Sequence, residues 1–213
     1  PDKIGADEYA TIVETITDTG WAHHESRQFS YTRQVISSVD EKPYTISVDF
    51  LAADPGRLTG RGRHRNVQQD LSARIMEGAP LALAHQCGIS IDARLPNGGR
   101  AETEIHMADV VGCISMKGLA LGGRLVEKDA YDICAVLDNI EGGPAGVAYA
   151  FRPFVGDPLV GMSIENIRKM FLGSESAGAL LVADFFSGET GSARDRRATR
   201  ASRLVAAFIE ALG

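Results

Sequence analysis

The chain has 213 residues, 44% hydrophobic and 23% charged, a soluble globular balance with room for one large domain or two small ones. Its formal net charge of −6 excludes a surface that grips nucleic acid all over, so any RNA contact must come from local patches. No apolar run reaches the length of a membrane-spanning helix, and the first residues carry no secretory apolar region, so no membrane partner is expected.

Residues Ala6 to Thr17 predict an amphipathic helix, with Tyr9, Ile12, Val13 and Ile16 on one stripe and Gly20 past its end. His23 and His24 stand beside Glu25, but adjacent side chains on an extended strand point apart, which argues against a shared metal. Gln28 to Ile36 and Tyr44 to Ala52 predict an antiparallel hairpin around a turn-rich loop. In its second strand Ile46, Val48 and Phe50 share one face, and Thr45, Ser47, Asp49 and Leu51 the other. Asp49 is therefore a carboxylate in a strand expected to be buried. It needs a cation, a metal or hydrogen bonds, and Arg33 on the partner strand is one candidate.

After the turn at Asp54 come Arg57, Arg61, Arg63, His64 and Arg65, interrupted by Gly60 and Gly62. This segment is either an exposed basic loop or a phosphate contact, and it lacks the lysine-serine ending of a Walker loop. A short helical piece over Asp70 to Gln86 precedes a second hairpin, Gly88 to Ala93 with Ala101 to Met107, turning at Asn97-Gly98. His106 ends that hairpin, as a strand-end polar residue or a site residue. Cys87, Cys113 and Cys134 have no metal-like spacing and are expected to be buried thiols of a reducing cytoplasm.

Asp109 to Leu137 predicts two helices joined by a short turn. Ile114, Lys117, Leu121 and Arg124 share a face of the first, so two long cations leave an apolar stripe; Gly122-Gly123 loosens its end. The second begins near Glu127 or Lys128, with Asp129 and Asp132 on its first-turn face. Helix capping and an ordinary charged surface would explain these residues one by one.

Taken together, Lys117, Ala120, Arg124, Lys128, Asp129 and Asp132 form a pattern that resembles the last two motifs of the AbiEii-type nucleotidyltransferase toxins, within the polymerase-β-like nucleotidyltransferase superfamily. The resemblance covers about half of the chain, Tyr44 to Leu137, and its nearest members add nucleotides to tRNA. It implies transfer of a nucleotide from a Mg²⁺-bound NTP to an RNA or tRNA acceptor, in a cytoplasmic toxin–antitoxin or phage-defence pair with a cognate antitoxin protein. It implies that Asp49, Lys117 and Asp132 are catalytic, that Asp49 is the metal ligand, and that Ser47, Arg124, Lys128 and Asp129 bind the nucleotide. Cys113 stands where the family often has a glutamate. The family's Gly-Ser turn and Asp-x-Asp strand are not found; they are expected upstream of Pro1 in a longer chain, or lost in this member. One aspartate holds Mg²⁺ weakly, so this chain alone is expected to catalyse weakly or not at all. The alternative is a non-catalytic member of the fold that binds nucleotide, RNA or a protein partner.

Glu141 to Gly146 breaks the pattern and predicts a boundary. Helices are expected over Ser163 to Leu172, Ser176 to Phe186 and Asp195 to Leu212, the last bearing Arg194, Arg196, Arg197, Arg200 and Arg203 on its approach and first half. That charge run is either a solvated face or a contact with RNA or an acidic partner. The fold expected is α+β: over 1–141 a nucleotidyltransferase-like mixed sheet, built from the two hairpins and carrying Asp49, with the lysine helix packed on it; over 142–213 a helical bundle.

Overall fold

A computed structural model describes residues 13–54, 64–67, 71–95, 98–186, 188 and 190–213. The chain is α+β and divides into two compact units, Pro1–Ala79 and Pro80–Gly213. Among the described residues no helix is long and apolar enough to cross a membrane.

The first unit is built on short strands. Helix α1, described over 13–18, leads into β1 (Ala22–His23), β2 (Ser30–Ile36) and β3 (Pro43–Asp49), an antiparallel sheet in the order β1-β2-β3. Phe50 links this sheet to the next. Its N–H donates to the Phe29 carbonyl and its own carbonyl accepts from the Arg74 N–H. Beyond it lie β4 (Leu51–Ala52), β5 (His64–Asn66) and β6 (Ser72–Ile75), in the order β4-β6-β5, with β4 parallel to β6. Tyr31 and Leu71 are the buried centre, with Val13, Ile16, Trp21, Phe50 and Val67 around them. The arginines at 57, 61 and 63 and the part of the expected first helix before 13 lie outside the described residues.

The second unit is a helical bundle with one hairpin. Helix α2 (Ala79–Ala84) leads into β7 (Gln86–Arg94) and β8 (Arg100–Ala108). Their register places Cys87, Ile89, Ile91 and Ala93 on one face with Ala101, Thr103, Ile105 and Met107, and the polar residues on the other. Helices α3 (Val110–Gly123), α4 (Glu127–Asn139), α5 (Gly143–Phe151), α6 (Pro158–Met170), α7 (Ala177–Phe185) and α8 (Ser192–Leu212) then share a single core. Their buried positions follow the helical period. On α4 these are Ala130, Ile133, Cys134 and Leu137; on α8, Ala198, Ala201, Val205 and Phe208. Asp109 caps α3 by accepting from the Gly112 N–H, and Asp157 caps α6 just before Pro158, earlier than Ser163 suggested.

Several expectations are corrected. The two hairpins do not form one sheet; each closes its ladder locally, in a different unit. The lysine helix packs chiefly on α6, where Gly118 and Gly122 let it approach Ser163, Asn166 and Ile167, and the Asn166 amide donates to the Gly118 carbonyl at 3.2 Å. The glycine-rich break is no boundary. Ile140 to Gly142 form a three-residue return between α4 and α5, with Gly142 and Gly143 at φ +79° and +57°, and both helices face the same core. Cys134 is buried, Cys113 half-buried, and Cys87 exposed on the hairpin.

The α3–α6 contact makes two glycines of one helix respond oppositely to alanine. A Cβ on Gly118 would lie 2.8 Å from both the Ser163 carbonyl oxygen and Ile167 Cδ1, whereas one on Gly123 meets nothing within 4 Å. Gly118→Ala is expected to destabilise by about 2 kcal/mol through overpacking, and Gly123→Ala to stabilise by about 0.5 kcal/mol through chain entropy. Urea midpoints of the two variants check both signs.

Candidate functional site

The α3–α4 corner gathers five of the residues singled out from the sequence. Lys117 leaves α3 two turns before its end. Arg124 is the first residue beyond α3, extended at φ −153° and ψ 148°, which turns its side chain back toward α4. Glu127 opens α4, so Asp129 lies in its first turn, where the helix dipole favours a negative charge. Asp129 is no cap: the N-cap is Val126, with no side-chain hydrogen bond.

These side chains form a row of alternating charge. Arg124 Nε donates to Asp129 Oδ2 at 2.8 Å. Lys117 Nζ donates to Asp129 Oδ1 at 2.9 Å and sits 2.7 Å from Asp132 Oδ2. Lys128 Nζ reaches Asp132 Oδ1 at 2.9 Å and Oδ2 at 2.7 Å. The row reads Arg124, Asp129, Lys117, Asp132, Lys128: three cations and two carboxylates. The Asp129 side chain is 3% exposed and that of Lys117 24%, while Arg124 and Lys128 at the two ends are 51% and 65% exposed. Asp129 is withdrawn from water, Lys117 and Asp132 mostly so, and the ends are in water with donors to spare.

Charge pairing outweighs burial at two members. Burial would raise the Asp132 carboxyl, but hydrogen bonds from Lys117 and Lys128 hold it below the ordinary carboxylate range. Burial would lower the Lys117 ammonium, but the hydrogen bonds and charges of Asp132 and Asp129 hold it above the ordinary lysine value. Cys113, one turn before Lys117, has its thiol pushed up by burial against the opposing pull of Lys117, so it stays protonated at neutral pH.

Asp49 and Ser47 lie elsewhere in the chain, on β3 of the first unit. Contrary to expectation β3 is exposed throughout, because it is the outer strand of its sheet. Nor can Arg33 pair with Asp49. Arg33 is in register with Ile46 and Asp49 with Ser30, which places the two on opposite faces. The fit to Mg²⁺ is poor: Asp129 and Asp132 are taken up by cations, and among the described residues no three of His, Cys, Asp or Glu are gathered to hold a metal. His106 pairs with Gly88 on the hairpin's polar face.

The sequence reading missed an aromatic group on the far side of α4. Tyr131 stacks on Phe185, with ring centroids 4.1 Å apart and planes at 11°, and meets Phe186 edge-on at 5.6 Å; the Arg197 guanidinium lies 3.5 Å over the Phe186 ring. The Phe185-Phe186 doublet at the end of α7 was the available signal, read only as part of an apolar helix.

Lys117→Met is expected to cost about 3 kcal/mol, because it leaves the buried Asp129 carboxylate with one cation instead of two. The pH dependence has two limbs. Asp132 has a depressed folded pKa, so its contribution is full above the unfolded value and lost as pH falls through the folded one. Lys117 has a raised folded pKa, so its contribution is full below the unfolded value and lost as pH rises through the folded one. The wild-type advantage over Lys117→Met in denaturant titrations should therefore hold between about pH 5 and pH 9 and shrink on either side. Comparison with protein-family models, with curated proteins and with solved structures finds no match.

Proposed function

We propose that the chain is a nucleotidyltransferase-like protein that holds the triphosphate of a Mg²⁺-bound NTP and serves transfer of the nucleotide to an RNA acceptor, as in toxin–antitoxin or phage-defence systems. The observation that carries this reading is the charge row at the α3–α4 corner, in which Lys117 is held between two carboxylates, Arg124 and Lys128 form the solvated ends, and the five groups leave one net positive charge. An anion meeting both ends gains charge-assisted hydrogen bonds at little ordering cost, because Asp129 and Asp132 already orient the cations. In the transfer an acceptor hydroxyl attacks the α-phosphorus and gives up its proton to solvent, the bond from that phosphorus to the bridging oxygen breaks, and pyrophosphate leaves with the charge that develops. Arg124 and Lys128 contact the phosphates in this reading, Lys117 sets the field between them, and Asp129 and Asp132 position all three. A cognate antitoxin protein belongs to the same proposal.

Mg²⁺ enters with the NTP as part of the substrate, and no step is routed through the ion. The occupied carboxylates of Asp129 and Asp132 favour a second reading, in which this chain binds nucleotide or RNA without catalysing transfer.

Isothermal titration with each of the four NTPs tests the proposal. Micromolar binding is expected, weakened about tenfold or more by Lys117→Ala or Arg124→Ala. Absence of binding to every NTP by the folded wild-type chain would remove the reading.

A further inference from the structure

Two adjoining cavities flank α8, away from the α3–α4 corner. The larger, about 870 Å³ and open to solvent, is lined by Arg196, Arg200 and Arg203 with Asp195, over an apolar floor that includes Pro144 and Leu204. The smaller, about 180 Å³, is lined by Tyr131, Phe186 and Arg197 with Asp138 and Asn139 at its polar side. Arg200 and Leu204 line both, so the two spaces lie side by side.

The arginines have different partners. Arg200 is fixed by Asp138, its Nη2 lying 2.7 and 2.6 Å from the two carboxylate oxygens. Arg196 reaches only the Ser192 hydroxyl, at 3.2 Å, and among the described residues neither Arg196 nor Arg203 has a carboxylate partner. Both are exposed. Seven residues of helix set them roughly 10 Å apart along the axis, with Arg200 between them. An open cationic track beside a small aromatic-lined recess is what a single strand requires: phosphates along the track, and one unstacked base in the recess with polar groups for its edge. An acidic peptide would use the track and leave the recess unfilled.

We infer that this face of α8 binds single-stranded nucleic acid, with Arg196 and Arg203 on phosphates of one strand and a base in the recess beside Tyr131. The inference stands apart from the triphosphate reading, since it uses none of the same side chains. It also accounts for the arginine run in an acidic protein.

Fluorescence anisotropy of the full chain with short fluorescein-labelled single strands, RNA and DNA of one sequence, tests it. The wild type should bind at low salt. Arg196→Ala with Arg203→Ala should weaken binding at least tenfold and flatten the slope of log K against log salt by about 1.4, the value for two lost phosphate contacts. Arg196→Lys with Arg203→Lys should retain most of the affinity, and Tyr131→Leu should weaken it about tenfold by removing the stacking ring. Thermal melts confirm that each variant is folded. NTP binding by the double alanine variant should stay unchanged, so the two proposals fail separately. Preference for RNA would add the 2′-hydroxyl to the readout, and equal binding would assign phosphate and base alone; either supports the site. No binding by the wild type, an equal loss in Arg168→Ala on the exposed side of α6, or displacement of the strand by polyglutamate at comparable charge would overturn it.

Discussion

The second unit depends on the solution found for one carboxylate. Asp129 is almost fully withdrawn from water at the start of α4, surrounded by residues of the bundle core. A lone buried carboxylate would be too costly to keep. Lys117 from the preceding helix and Arg124 from the link between the helices neutralise it, and in doing so they set how α3 and α4 meet. Such networks contribute little net stability over a well-packed apolar corner of the same shape, while losing one partner is expensive. A charged row is therefore a poor way to build a corner and a good way to hold cations ready for an anion.

Around the corner, close helix packing does the remaining work. The glycines of α3 bring its backbone against α6, and the hydroxyls of Ser115 and Ser163, both fully buried, have no hydrogen-bond partner among the described residues. Small residues were used here for their volume, with the polar atom tolerated. Phe151 and Phe208, edge to face at 5.3 Å, fill the other side of the bundle between α5 and α8. The helix carrying Lys117 is thus held on several sides, which fixes the ammonium position more firmly than its own four-carbon stem could.

Local chemistry was legible in the sequence and distant chemistry was not. The ends of α3 and α4 followed from Gly122-Gly123 and from the acids of the next turn, because those signals act within a few residues. Period-two alternation put Asp49 and Ser47 on the face opposite Ile46, as found, but alternation is the same for an outer strand and a central one, so it could not show that β3 is exposed. Lys117 and Asp129 were each identified on their own helices; that Lys117 is shared between two carboxylates depends on how the helices pack, which no spacing encodes. The Glu141 to Gly146 segment was misread because positive-φ glycines serve a tight return and an interdomain break equally well. At α6 the better signal, Asp157-Pro158, was passed over for Ser163, which lies inside the helix.

The contacts of the charge row span 15, 12, 5 and 4 residues, whereas the Arg200–Asp138 bond at the far groove spans 62. Loop closure grows with the logarithm of length, so the long connection costs about 1.3 kcal/mol more chain entropy than the longest of the short ones. The corner is a low-contact-order feature that two neighbouring helices complete between themselves, while the groove exists only after the final helix has returned to α4. By this measure the charge row is the more local of the two surfaces and the arginine track the more dependent on the completed bundle.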